Sequence, residues 1–155
     1  MPLDSLVVLR GGGDLGTGVA HRLVRAGYRV VVLETSAPRA VRRRVAFAEA
    51  VLSGETTVEG VTARRVPAAE AASAWAGGRG GGDAGARAPW VPVVVDPSGD
   101  CIDDLAPDVI VDARMAMSRA FRECPCFVSS YPSMEVVTAA AAPGVFMRIA
   151  VIDPP

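Results

Sequence analysis

The stretch Leu6-Val-Val-Leu-Arg-Gly-Gly-Gly-Asp-Leu-Gly-Thr-Gly18 decides the reading of this chain, because an apolar run enters a glycine loop and an amphipathic segment follows. Val7, Val8 and Leu9 are continuous apolar residues with no polar alternate, which suits a parallel strand covered on both faces. Gly11, Gly13 and Gly16 take the G-x-G-x-x-G spacing. In that pattern the first glycine lets the chain turn sharply, the second leaves room for an anion against the backbone, and the third lets a helix pack close to the strand. From Asp14 to Ala26, the residues Leu15, Val19, Leu23 and Ala26 recur at helical spacing, with His21, Arg22 and Arg25 mostly off that stripe. Gly27 falls where a helix C′ residue belongs, and Tyr28 to Leu33 reads as a second strand.

Glu34 closes the unit about twenty residues after the loop, as a βαβ dinucleotide-binding half requires. Its carboxylate is either a solvated strand end or an acceptor of hydrogen bonds from both ribose hydroxyls, and in the second role it would repel a 2′-phosphate, so a nicotinamide-type ligand would be NAD in preference to NADP. The amides of Gly11, Gly12, Gly13, Leu15, Gly16 and Thr17 lie around the amino end of the helix, where free N–H groups and the helix dipole receive an anion. Asp14 runs against that scheme, since a carboxylate in a phosphate loop repels phosphate. Three roles are open to it: capping the helix, being offset by Arg10, or holding a cation that bridges to phosphate.

Beyond Glu34 the chain carries Arg39, Arg42, Arg43 and Arg44, on a helix expected from about Pro38 to Leu52. Such a cluster is either a solvated helix face or a clamp on an anionic tail, with Arg43 a candidate for the clamp. Alternation from Glu55 to Val66 predicts a hairpin turning at Glu59-Gly60, and Ala68 to Ala76 predicts a helix. Gly77-Gly-Arg-Gly-Gly-Gly-Asp-Ala-Gly85 reads as a flexible surface loop, with no apolar strand before it to make it a phosphate loop. Trp90 to Val95 is a further strand, Asp96-Pro-Ser-Gly99 a turn, and Ile102 to Ala106 a short helix ended by Pro107. Val109 to Ala113 completes the core strands and places Asp112 and Arg114 near a carboxyl end, as either ligand contacts or an internal ion pair. Together these predict an α/β, Rossmann-like doubly wound sheet, mainly parallel, with helices on both faces.

The run from Val8 to Glu34 resembles the amino-terminal signature of the YqeB family, accessory proteins of the selenium-dependent molybdenum hydroxylase system. The resemblance continues through Pro38, Arg42, Arg43, Val45-Ala-Phe-Ala-Glu-Ala-Val51, Gly54 and Val58-Glu-Gly-Val61. It also takes in Val91-Pro-Val-Val-Val-Asp-Pro97 and Pro107-Asp-Val-Ile-Val-Asp-Ala-Arg-Met115. It implies a fold related to the Rossmann domain of XdhC accessory factors and a role in maturing molybdenum hydroxylases of the xanthine dehydrogenase type. The implied ligand is a molybdopterin-type cofactor, or NAD or another adenine nucleotide; the implied partners are the hydroxylase or its maturation factors. No catalytic residue carries over position by position, so only binding roles are assigned.

Residues 1–115 are accordingly expected to form the cofactor-binding domain, and 116–155 a divergent tail, poorly ordered or packed on the sheet. The tail lacks the lysine-bearing and Gly-Pro-Gly-Phe motifs that the resemblance calls for, which suggests a truncated or frameshifted reading frame. Cys124 and Cys126 are spaced too closely for a C-x-x-C zinc knuckle, and the lone His21 lies far off in sequence, so free thiols are expected, Cys101 included.

Composition sets outer limits. A chain of 155 residues that is half hydrophobic supports one core. A net charge of −1 with 5% aromatic residues gives neither the field nor the stacking platforms that nucleic acid needs. Asp4 leads straight into a strand with no charged-then-apolar leader, and no apolar run approaches membrane length, so a cytoplasmic protein is expected, alone or as a homodimer. Three functions compete: a cofactor-binding accessory protein, a small NAD-dependent oxidoreductase, and a nucleotide-sensing module without chemistry. The second needs a proton-transfer residue over the crevice, and no Tyr-x-x-x-Lys pair is present.

Overall fold

Alternate residues of the first strand face two separate cores, so the sheet is covered on both sides. The computed structural model describes residues 5–75, 90–114, 134–142 and 145–152. Strand β1 (Leu6–Arg10) leads through the glycine loop into helix α1 (Asp14–Arg25), which returns to β2 (Arg29–Glu34). After an irregular stretch come α2 (Ala50–Ser53), the hairpin β3 (Glu55–Val58) and β4 (Val61–Arg65), and α3 (Ala68–Ala71). Next are β5 (Trp90–Val95), α4 (Ile102–Leu105), β6 (Val109–Asp112), β7 (Met134–Ala142) and β8 (Val145–Ile152).

The eight strands form one sheet in the order β3-β4-β5-β2-β1-β6-β8-β7. The central five, β4-β5-β2-β1-β6, are parallel, while β3 pairs antiparallel with β4, and β8 with both β6 and β7. The fold is α/β and Rossmann-like, with helices on both faces. Val7, Leu9, Val30 and Val32 pack with Ala20 and Val24 of α1 and with Phe47, Ala50 and Val51. On the opposite face Leu6, Val8, Val31 and Leu33 meet Ala71 of α3 and Ile102 and Leu105 of α4. Continuous apolar strands are the sequence signature of a sheet buried on both faces.

Helix α1 ends as expected. Gly27, at φ 93°, takes the left-handed position; its N–H donates to Val24 O, and Tyr28 N–H donates to Leu23 O, which closes a Schellman motif. The expected stripe is rotated: the buried residues of α1 are Gly16, Thr17, Ala20 and Val24, whereas Val19 and Leu23 are only partly covered and Ala26 is exposed. Small residues win the contact face because the helix lies close to β1. A Cβ on Gly16 would overlap Gly11 O and stand 3.0 Å from Leu9 Cδ2.

The helix expected over Pro38 to Leu52 does not form. The segment instead makes two single 3-10 turns, Arg43–Val45 and Phe47–Glu49, before the short α2. Amides that a helix would use are claimed elsewhere: Phe47 N–H donates to Thr17 Oγ1 at 2.8 Å, and Ala48 N–H donates to Gly12 O at 2.8 Å. The Glu59-Gly60 hairpin turn is as expected, with both residues at positive φ, 47° and 81°. Helix α3 covers only the first turn of the predicted Ala68–Ala76 helix, followed by a 3-10 turn at Ser73–Trp75. The glycine-rich loop 77–85, Cys124 and Cys126 lie outside the described residues. Among the described residues, no helix is long and apolar enough to cross a membrane.

Candidate functional site

The sheet order fixes where a ligand can sit. The chain passes from β1 to β2 on one side and later returns to β6 on the other, so the strand order reverses at β1, and the carboxyl ends of β1 and β6 flank a crevice. A cavity of about 540 Å³ opens there. It is lined by Gly11, Gly13, Asp14 and Leu15 from the loop and α1, by Glu34, Thr35, Ser36, Ala37, Arg39, Ala40, Val41 and Ala48 after β2, and by Ala113 and Arg114 after β6. That volume lies within the usual range of small-molecule and cofactor sites, roughly 300–1,000 Å³.

The three glycines of the fingerprint have different work. Gly11, at φ 95°, turns the chain against β6, where a Cβ would stand 3.1 Å from Arg114 Cγ and 3.2 Å from Arg114 N. Gly16 allows the close approach of α1 described above. Gly13 caps α1 with no side chain of its own, and nothing lies within 4 Å of where its Cβ would be. The amino end of α1 therefore faces open space at the cavity wall. Gly12 is the reverse case, with both backbone groups occupied: its N–H donates to Glu34 Oε2 at 2.8 Å, and its C=O accepts from Thr17 Oγ1 and Ala48 N–H.

Glu34 thus braces the loop as well as lining the cavity, and its second oxygen accepts Thr35 N–H at 2.7 Å. Thr17 is buried, its hydroxyl donating to Gly12 O and accepting from Phe47 N–H, so it supports the loop from beneath. Leu15 lines the cavity. Asp14 is the first residue of α1 and does not cap it; its Oδ2 accepts Arg42 Nε–H at 2.6 Å, and its Oδ1 is buried without a hydrogen-bond partner among the described residues.

Arg10 points to the other face of the sheet. Its guanidinium is buried and donates to Pro97 O and Ser98 O, pinning the turn after β5. It is not part of the cavity wall. Period-two alternation from Leu6 and Val8 would have placed it there from sequence alone. Asp112 is buried in an ion pair with Arg114, whose Nε and Nη2 contact Oδ1 and Oδ2 respectively, so Arg114 is the member of that pair that lines the cavity. Of the basic cluster, Arg39 lines the cavity and Arg42 meets Asp14, while the Arg43 side chain has neither role among the described residues.

The same end of the sheet carries a second polar assembly. Asp96 accepts Gly99 N–H at 2.8 Å and Cys101 N–H at 2.9 Å. Burial alone would raise the Asp96 carboxyl, but hydrogen bonds from Cys101, Gly99 and Asp100 together hold it below its ordinary value. Burial, then the hydrogen bond and charge of Asp96, pushes the Cys101 thiol up to about 12. Cys101 is a free, buried thiol.

The chain is 41% identical over 140 residues, 90% of its length, to the uncharacterized protein YqeB of Escherichia coli (strain K12). This supports the resemblance to the YqeB family read from the motifs. The chain spans 22% of that relative's length. No family model matches the chain. No solved structure matches it. An alignment of 140 residues in a chain of 155 has to run past Met115, so similarity does not stop where the sequence motifs suggested.

Proposed function

We propose that the crevice at the carboxyl ends of β1, β2 and β6 binds a phosphate-bearing cofactor, either NAD or another adenine nucleotide or a molybdopterin-type compound. In this reading the chain is a cytoplasmic accessory protein in the maturation of a molybdenum hydroxylase, with that enzyme or its other maturation factors as partner. One observation carries the binding part: a cavity of nucleotide size lies at the strand-order reversal, against a helix amino end whose cap, Gly13, leaves the backbone uncovered. Backbone N–H groups and the helix dipole favour an anionic group at such a place. The maturation context comes from the YqeB resemblance and rests on it.

The chain's own residues divide the work. Gly13, Asp14 and Leu15 present the helix end, Arg39 supplies positive charge at the wall, Arg114 lines it with its charge matched by Asp112, and Glu34 fixes the loop through Gly12. A thermal-shift panel of NAD, NADP, ATP, CTP and molybdopterin forms tests the reading. A ligand at ~100 times its dissociation constant stabilises by about 2.7 kcal/mol. Cooperative melting that none of these compounds shifts would refute it.

A further inference from the structure

We infer that Asp14 and Arg42 act as one unit at the cavity mouth, the carboxylate positioning the guanidinium and the guanidinium binding a phosphate of the ligand. The inference rests on the anion-binding reading above and deepens it. It names a specificity residue and a ligand class, a phosphate or diphosphate ester of a nucleoside or pterin.

An acid as the first residue of a helix that receives phosphate is a contradiction unless its charge is spent. Here it is spent on Arg42, whose Nε lies 2.6 Å from Asp14 Oδ2. Asp14 lines the cavity, and its side chain is 22% exposed against 72% for Arg42, so the acid is the held partner and the base the outward one. A guanidinium has five N–H donors, and the bond to Asp14 uses the Nε–H. Among the described residues the Arg42 side chain has no other hydrogen bond or ion pair, which leaves the two Nη groups to present a planar fork beside the helix end. That fork matches phosphate oxygens bidentately. The loop Gly12-Gly13 and the Arg42 segment are also locked together, because Ala48 N–H and Phe47 N–H are bonded to Gly12 O and Thr17 Oγ1, so Arg42 arrives beside Asp14 on an anchored stretch of chain.

Titration calorimetry of the full chain with pyrophosphate, and with ADP against adenosine, tests the unit. Arg42→Gln and Asp14→Ala should each weaken pyrophosphate and ADP by roughly tenfold, as expected for losing one charge-assisted contact. The double variant should be no weaker than Arg42→Gln alone, and Asp14→Asn, which keeps an acceptor for Nε, should recover part of the Asp14→Ala loss. Adenosine, which carries no phosphate, should lose less affinity than ADP in each of them, and each should still unfold cooperatively. If Asp14→Ala or Asp14→Asn binds pyrophosphate more tightly than the native chain, the carboxylate merely repels the anion and the inference is overturned while the cavity reading stands. If the native chain takes up neither pyrophosphate nor ADP, the cavity reading itself fails, and this inference with it.

Discussion

Replacing Thr17 by Val should loosen the segment that walls the cavity, and the size of the effect follows from two hydrogen bonds. The Thr17 side chain is buried, so no water replaces what is lost. Its hydroxyl accepts Phe47 N–H at 2.8 Å; without it that amide is a buried donor with no acceptor, a penalty of about 1–3 kcal/mol. The hydroxyl also donates to Gly12 O at 2.9 Å, but Gly12 O keeps Ala48 N–H, so this second loss is milder, about 0.5–1.5 kcal/mol. The two together amount to about 1.5–4.5 kcal/mol. Urea unfolding should show a midpoint lower by roughly 1–2 M at unchanged slope, taking a slope of about 2 kcal/mol per molar. Thr17→Ser keeps both bonds and loses only a methyl group, so it should cost about 1 kcal/mol. A Val variant as stable as the Ser variant, or more so, would refute the reasoning and show that packing of the methyl group, not the hydroxyl, holds residues 46–48 against the loop.

Gly16→Ala should destabilise by about 1–3 kcal/mol, because the added methyl overlaps the backbone oxygen of Gly11 and no side-chain rotation relieves it, whereas Gly13→Ala, facing open space at φ −67°, should shift the thermal midpoint little. Equal midpoints for the two variants would contradict the close approach of α1 to the loop. The Cys101 thiol, raised from 9.0 to about 12 by burial and by Asp96, favours the fold in its neutral form; its contribution is complete below pH 9 and is lost as pH rises from 9 towards 12. Asp96, held below its ordinary 3.8, acts at the other end, its contribution being present above pH 3.8 and lost as pH falls below it. Urea titrations across pH should show Cys101→Ala flattening the alkaline loss, and peptide mapping should find Cys101 slow to alkylate at pH 8; rapid labelling there would count against the buried, neutral thiol.

What could be read from the sequence depended on whether the signal was local. The strands at Val7–Leu9, Val30–Leu33, Val91–Val95 and Val109–Val111 were legible because strands buried on both faces are continuous apolar runs, and the Glu59-Gly60 turn because a two-residue hairpin announces itself. The stretch 38–52 was not legible. Its apolar spacing suits a helix, but the amides of Phe47 and Ala48 are bonded to Thr17 and Gly12, about thirty residues earlier, and a local pattern carries no trace of that competition. The face of α1 was misread for a related reason. Large apolar residues mark a stripe in sequence, yet the face that approaches β1 most closely must be made of small ones, Gly16, Thr17 and Ala20. The choice among the arginines followed from the same error: on a continuous helix Arg42 and Arg43 are equivalent guesses, and only the tight turn at Arg43–Val45 brings Arg42 to Asp14.

The position of Glu34 joins these points. In the sequence its carboxylate reads as a ribose acceptor, and in the fold it accepts the amides of Gly12 and Thr35. The two roles do not exclude each other, since an ionised carboxylate offers about four acceptor positions and two are taken. The bond to Gly12 also settles what that residue can do, because its N–H and C=O are both committed before any ligand arrives, to β2, α1 and the 46–48 segment at once. The loop is therefore held from three directions, while its neighbour Gly13 is left uncovered. A loop fixed in advance spares the ligand the cost of ordering it, so more of the interaction with an anion at the helix end appears as affinity. Removing the Glu34 carboxylate should accordingly weaken even an anion that carries no ribose, through the loop and not through any direct contact.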